Sequence, residues 1–137
     1  MGLVMHTLLL KNPRRPELAA VQVVALGDTG AFHLCIPEAI RARLELHAID
    51  HKNAVLADGS HVAVPYVGPV ELRFKNRIGF AGALVMGDQV LLGVIPMEDM
   101  DLIVVPRTRT VDLNPASSDV ASSIVKSASA TMHLSLR

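Results

Sequence analysis

Length, composition and charge allow one compact domain and give no sign of affinity for polyanions. The chain has 137 residues, enough for one ordinary domain and too few for two. Half of the residues are apolar and 19% are charged, which excludes a disordered chain. That apolar share is high for a small monomer; a buried subunit interface would account for it, and so would a monomer that is simply more apolar than usual. The 13 basic and 13 acidic residues balance, so the positive field that supports nucleic-acid binding is missing.

The amino-terminal segment and the apolar runs predict a soluble, cytoplasmic protein without membrane contact. Residues 1–10 lack both the basic stretch and the small-residue cleavage site of a signal peptide. The longest apolar run, residues 78–97, is interrupted by glycine and by Asp88, so it does not predict a membrane span. The single cysteine, Cys35, cannot form an intrachain disulfide and lies in an apolar stretch typical of a protein core.

Period-two alternation of apolar and polar residues in the first third of the chain predicts β-strands. We expect strands at residues 4–10, 20–26 and 32–36. Pro37 then suits the first position of a helix over residues 37–46, because proline has no N–H to leave unpaired there.

The rest of the domain is also predicted to be rich in strands. Asp58-Gly59-Ser60 separates two apolar runs, at residues 55–57 and 61–64, which indicates a hairpin. Further strands are expected at residues 70–74, 81–86, 90–93, 103–105 and 111–113, with a short helix within 96–102.

The composition changes after Pro115. Of the 22 residues that follow, seven are serine and four are alanine, which is typical of a loosely held segment. We therefore predict a domain over residues 1–115 and a Ser/Ala-rich carboxy-terminal tail over residues 116–137.

The triplet Asp28-Thr29-Gly30 is the strongest candidate for a functional site. Taken alone it also fits a simple β-turn, since aspartate and glycine both favour turns. Its context is more specific, because it follows an apolar strand, precedes Ala31 and leads through an apolar stretch into a helix. A second apolar element ending in glycine, Leu91-Leu92-Gly93, comes about sixty residues later.

This arrangement resembles the retropepsin-like aspartic proteases, the family of the retroviral proteases, over about residues 21–113. The resemblance rests on the segment from Ala25 to Ala31 combined with Leu91-Leu92-Gly93. It implies a mainly β fold: a small closed β-barrel of the acid-protease type with one or two short helices, active as a homodimer. It also implies roles for individual residues: catalytic Asp28, Thr29 and Gly30, supported by Ala31, Leu92 and Gly93.

The chemistry of such a site explains why one motif requires two chains. Hydrolysis without a metal or a covalent intermediate needs one group to activate water and another to polarise the carbonyl. Two adjacent carboxylates share one proton and so supply both functions. The chain contains one such triplet, so the second Asp28 must come from a second copy of the chain. No cofactor is implied, and the six histidines show no spacing typical of a zinc site.

The hairpin around residues 57–60 (Ala57, Asp58, Gly59 and Ser60) corresponds to the family's flap, a mobile arm that covers a bound peptide. An ordinary surface hairpin explains the same residues equally well.

Two features depart from the family pattern. Gly27 stands where the family has a larger apolar residue, and we expect it to remove packing beneath the loop. The hairpin tip carries only Gly59 where retroviral flaps are glycine-rich. Two hypotheses therefore remain: an aspartic endopeptidase that acts on a peptide or protein, or a peptide-binding or dimerisation module with the same fold.

Overall fold

The computed structural model describes residues 3–125, which contain nine strands, two short α-helices and one 3-10 turn. The first half comprises β1 (Leu3–Lys11), β2 (Val21–Gly27), β3 (Leu34–Ile36), α1 (Glu38–Arg43) and β4 (Ala48–Val55). The second half comprises β5 (His61–Phe74), β6 (Arg77–Val85), β7 (Leu91–Leu92), α2 (Val94–Asp99), β8 (Leu102–Val105), β9 (Thr110–Leu113) and the 3-10 turn Pro115–Ser117.

Six of the strands close into a barrel. They are hydrogen-bonded in the order β5-β6-β3-β7-β2-β1, and β1 also pairs with β5, which completes the ring. The closing register places Leu10 opposite Leu72. Outside the ring, β4 extends β5 as a hairpin arm, and β9 with β8 continues from β1. Closure removes the free edges within the ring, and β4 and β8 form the two ends of the sheet.

Inward-facing side chains from every strand of this ring, together with Leu44 and Leu46 after α1, fill one continuous core. The alternation is clear in β1, where Met5, Leu8 and Leu10 are buried while residues between them reach solvent. Burial of these aliphatic side chains is the main favourable contribution to folding. The prediction of a mainly β fold with a closed barrel and two short helices is confirmed.

Most predicted elements lie within two or three residues of the observed ones, but β4 begins seven residues before the strand predicted at residues 55–57, β6 begins four residues early, and β5 was predicted incorrectly. Residues 61–64 and 70–74 were expected as two separate strands, because Pro65, Gly68 and Pro69 between them usually interrupt pairing. In the structure they belong to one strand of 14 residues. Its register with β6 shifts between Val67 and Val70, and this irregularity accommodates the interruption.

A polar network fastens the chain after β9 to the barrel. The Arg77 side chain is 1% exposed, and its Nη2 donates to the carbonyl oxygen of Ser117 at 2.5 Å and lies 3.9 Å from Asp101 Oδ2. Asp101 also accepts hydrogen bonds from the Ser117 hydroxyl, from the Asn114 side chain and from the backbone N–H of Ser122. The first residues of the predicted tail are therefore tied to the domain through Asp101, Arg77 and Asn76, whose side-chain amide donates to the carbonyl oxygens of Ser118 and Asp119.

The predicted division into domain and tail stays a prediction. Residues 118–125 are exposed, in keeping with their Ser-rich composition, and residues 126–137 lie outside the described residues. Within residues 3–125, no helix has the length and apolar character needed to cross a membrane.

Acid should weaken the network around Asp101. Hydrogen bonds from the Ser117 hydroxyl, the Ser122 N–H and the Asn114 side chain lower the pKa of Asp101 from 3.8 to about 2. A carboxyl with a lowered folded-state pKa contributes stability above its unfolded pKa and loses it as the pH falls through the folded value. We expect the free energy of unfolding to decrease between about pH 4 and pH 2, and less steeply in Asp101→Asn.

Urea titrations followed by circular dichroism over this pH range would measure both slopes. Identical slopes for the parent and Asp101→Asn would contradict this role of the carboxylate.

Candidate active site

The position of Asp28 is set by a parallel pairing between β2 and β7. Leu26 lies opposite Leu91, and Gly27 lies opposite Leu92. One residue further on, the backbone N–H of Asp28 donates to the carbonyl oxygen of Leu92 at 2.9 Å. The loop that carries the aspartate therefore begins at a point held by two distant segments of the chain.

Within the loop, Asp28 forms a tight turn. Its Oδ1 accepts the N–H of Gly30 at 2.9 Å, and its carbonyl oxygen accepts the N–H of Ala31 at 3.1 Å. Such aspartate-centred turns are a common local structure and account for the triplet without any catalytic role. Asp28, Thr29 and Gly30 are all exposed in the single chain, so the carboxylate faces solvent.

The start of α2 supports the other side of the loop. The N–H of Val94 donates to the carbonyl oxygen of Ala31, and the N–H of Ile95 donates to that of Phe32, each at 2.9 Å. These bonds satisfy two of the N–H groups that a helix leaves unpaired at its first turn. The predicted supporting residues Ala31, Leu92 and Gly93 thus lie beside the Asp28 loop, and their functional role stays a prediction.

Gly93 allows the closest backbone approach at this site. A Cβ atom there would lie 2.5 Å from the carbonyl oxygen of His33 and 2.5 Å from the carbonyl carbon of Phe32. Both are backbone atoms that cannot rotate away, so position 93 requires glycine for steric reasons.

The expectation that Gly27 leaves the loop poorly packed is wrong. Gly27 is buried, and a Cβ atom on it would lie 2.8 Å from Cγ2 of Val111. Val111 belongs to β9 and is 3% exposed. The space that a larger residue would occupy after β2 is therefore filled by a side chain from a strand outside the barrel ring.

The predicted flap lies at the tip of the β4–β5 hairpin. Leu56 donates its N–H to Ser60, Gly59 donates its N–H to Leu56, and Asp58 Oδ1 accepts the N–H of Ser60 at 2.8 Å. Gly59 has a φ of 86°, a left-handed conformation that favours glycine. Residues 57–60 are exposed. These bonds define the turn, and its action as a flap stays a prediction.

The base of the same hairpin contacts the segment that follows Asp28. The rings of Tyr66 and His33 meet edge to face, with centroids 5.8 Å apart, and Lys52 Nζ lies 4.8 Å from the Tyr66 centroid. Our interpretation of the sequence did not include Lys52 and Tyr66 in the site. Their proximity depends on the pairing of β4 with β5, and the polar sequence of β4 gives no local signal of that register.

Two titratable groups next to the loop have shifted pKa values. Burial, and secondly the charge of Asp28, raises the pKa of the Cys35 thiol. Burial, and secondly the charge of Lys52, lowers the pKa of His33. Cys35 is 7% exposed, as expected for a core residue, and the raised pKa keeps its thiol protonated.

An open groove of about 580 Å³ lies along α2, lined partly by Phe80, Ile95, Asp101 and Ile124. Asp28 does not line it. Within residues 3–125, no three His, Cys, Asp or Glu side chains are grouped as a metal site would require.

Comparisons with known proteins give only distant likenesses. No protein-family model and no curated protein matches the chain. The solution structure of the simian foamy virus (mac) protease is 18% identical, with a TM-score of 0.49, and the match covers 71% of this chain and 91% of that one. A Legionella pneumophila protein of unknown function is 13% identical, with a TM-score of 0.40, covering 72% and 85% respectively. Neither likeness is close enough to bear on what this chain does.

Replacing Gly93 by alanine should destabilise the fold by at least about 2 kcal/mol, because the added methyl group collides with backbone atoms. Gly87→Ala is the matched control. Gly87 has a φ of 75° but open space around it, so its substitution should cost only about 1 kcal/mol of backbone strain. Urea unfolding of both variants measures the difference, and equal costs would contradict the close approach at Gly93.

A double-mutant cycle should reveal the contact between Gly27 and Val111. Val111→Ala leaves a cavity and should cost about 1–3 kcal/mol, and Gly27→Ala alone is destabilising because its methyl group meets Val111. In the double variant the methyl group at residue 27 enters the vacated space. The combined loss of unfolding free energy should be about 0.5 kcal/mol or more below the sum of the single losses. Additive losses would show that the two positions are independent.

Proposed function

We propose that this chain is a retropepsin-type aspartic endopeptidase, active as a homodimer, in which Asp28 of each copy activates the water that hydrolyses a peptide bond. The observation that carries the proposal is an exposed aspartate in a loop held from both sides. Leu92 accepts the N–H of Asp28, and the first turn of α2 donates to the carbonyl oxygens of Ala31 and Phe32. A carboxylate that must act as a base at a defined position needs such a rigid support.

The mechanism needs two of these carboxylates in contact. When they share a single proton, the ionised one takes a proton from water while the protonated one donates to the substrate carbonyl oxygen. This is the arrangement of aspartic proteases in general. The two groups titrate as a pair, so activity should be highest at acid to mildly acid pH and decline once both are ionised.

Exposed apolar side chains next to the loop support self-association. Phe32 is 70% exposed and Ile95 is 49% exposed, and their backbones are hydrogen-bonded to each other beside Asp28. A two-fold interface centred on the loop would bury both residues and bring together two copies of the exposed Asp28-Thr29-Gly30. In the same arrangement Thr29 would brace the two loops across the axis.

A second candidate function is a peptide-binding module without catalysis. It is favoured by the position of β4, which lies at the end of the strand order and leaves one edge unpaired among the described residues. An extended peptide can add to such an edge as a further strand. The hydrogen bond from Gly30 to Asp28 also gives the carboxylate a structural role that a non-catalytic protein would keep.

Asp28→Asn separates the two functions. The substitution preserves the shape of the side chain and its ability to accept the Gly30 N–H, but it removes the base from both subunits. We expect peptidase activity on a broad peptide mixture to fall by at least about a hundredfold, with the dimer retained. Mass spectrometry of the digests and sedimentation at micromolar concentration measure the two properties.

Asp88→Asn, in a surface turn, is the control and should cleave as the parent does. Cleavage by Asp28→Asn at the parent's rate would overturn the aspartic mechanism. A well-folded parent that stays strictly monomeric would also count against it. A dimer that binds peptides but cleaves none would favour the binding module.

A further inference from the structure

Three side chains from separate segments meet where the hairpin joins the barrel, and we call them the Lys52 cluster: Lys52 from β4, Tyr66 from β5 and His33 just before β3. The antiparallel register places Asp50 opposite Tyr66 and Lys52 opposite Val64, so Lys52 and Tyr66 are diagonal neighbours on one face. The ammonium group lies 4.8 Å from the ring centroid, within the range of a cation–π contact.

The Tyr66 ring that contacts this cation is itself packed against β6 and His33. A Cβ atom on Gly82 of β6 would lie 2.2 Å from the Tyr66 hydroxyl oxygen and 2.5 Å from its Cε1, so the ring rests directly on the Gly82 backbone. The edge of the His33 ring packs against it at 84°. Lys52 is exposed, and its contact with the ring favours a position of the ammonium group over Tyr66.

The cluster lies beside the proposed catalytic loop. His33 follows Asp28 by five residues, and the backbone of Phe32 and His33 packs against Gly93 next to that loop. The contact between Tyr66 and His33 shows that this face of the hairpin is turned toward the segment after the aspartate. A peptide held between hairpin and loop would pass the cluster.

The positive charge of Lys52 has no carboxylate partner among residues 3–125, where no carboxylate lies within 4.0 Å of its Nζ or of the His33 ring. Asp50 lies on the same face of the hairpin as Lys52, and Asp50 Oδ1 accepts the backbone N–H of His51. Along the chain, His33 lies two residues before Cys35 and five residues after Asp28. Burial, and secondly the charge of Lys52, lowers the pKa of His33.

We propose that Lys52, supported by Tyr66 and His33, is a specificity-determining residue that selects peptides with a glutamate or aspartate close to the cleaved bond. The inference rests on the proposed function and names its substrate class. A peptide carboxylate would supply the negative charge that Lys52 lacks among residues 3–125, and the edge of Tyr66 would border the aliphatic part of the acidic side chain. A neutral residue at the same position gains neither the ion pair nor a charge-assisted hydrogen bond.

The test compares cleavage of peptide series that differ only by Glu, Gln or Lys at each position around the cleaved bond. We expect the parent to cleave the best-placed Glu peptide about two- to fivefold faster in kcat/KM than its Gln counterpart, the range of an exposed ion pair. Lys52→Met keeps the aliphatic stem and should abolish this ratio. Lys52→Glu should reverse the preference, so that the Lys peptide is cleaved faster than the Glu peptide. The introduced carboxylate repels a peptide glutamate and attracts a peptide lysine.

Lys75→Met is the matched control. Lys75 also lies over an aromatic ring, 5.3 Å from the centroid of Phe74, but its charge is already paired with Asp112 at 2.6 Å. This variant should keep the parent's preference for Glu. A preference for Glu that persists in Lys52→Glu, or a parent that cleaves Glu and Gln peptides equally, would overturn the proposal while leaving the peptidase intact.

The pH dependence distinguishes a charge effect from a merely structural one. Because burial lowers the pKa of His33, this residue becomes charged only below the usual histidine range. The preference for Glu should therefore increase as the pH falls below the range in which an ordinary histidine titrates, until the peptide carboxylate itself protonates at about pH 4. His33→Gln should remove the increase, and an unchanged profile would exclude His33 from the cluster's function.

Failure of the peptidase can be separated from failure of this inference. If the parent cleaves no peptide, the anisotropy of fluorescent Glu and Gln peptides is measured with the parent and with Lys52→Glu. Tighter binding of the Glu peptide that is lost in Lys52→Glu supports the role of Lys52 even on a non-catalytic protein. Equal binding of both peptides, or no binding of either, overturns it.

Discussion

The short parallel pairing of Val21–Gly27 with Leu91–Leu92 is the constraint on which the candidate site depends. It joins two segments that are far apart in sequence, and the bond from Asp28 N–H to the Leu92 carbonyl carries the pairing one residue into the loop. Because Gly93 has no side chain, the backbone of Phe32 and His33 approaches it more closely than any other residue would allow. A long-range pairing of this kind is entropically costly, and the closed core of the barrel offsets that cost.

The same constraint leaves the aspartate facing solvent with apolar neighbours. A buried carboxylate would need its own counter-charge or bound proton, whereas an exposed one can pair with the carboxyl group of a second copy of the chain. In the proposed homodimer, Asp28, Phe32 and Ile95 are exposed for the same reason, because each chain forms half of a site. In the proposed enzyme the hairpin would form the other wall of the site, and the contact between Tyr66 and His33 joins the hairpin to the segment after Asp28.

Elements built from local patterns were predictable, and those built from register were not. Alternation located β1 and β2, and Asp58-Gly59 marked the hairpin turn, while Pro37, predicted as the first helical residue, is the extended residue just before α1. The first residues of β4 were missed because seven of its eight residues are exposed, so no apolar alternation identifies the strand. The continuity of β5 was missed because its prolines suggest a break, and only pairing with strands on both sides maintains the strand through them.

The amino-acid sequence by itself determined a mainly β domain, a turn at Asp28 and a hairpin tip at residues 57–60, because each depends on the conformational preferences of neighbouring residues. The tertiary structure alone decided which distant side chains meet. It brought Val111 into the space beside Gly27, Lys52 onto Tyr66, and the chain after β9 onto Arg77. Such contacts follow from strand register and barrel closure, and a local pattern carries information only about which face of its own strand is buried.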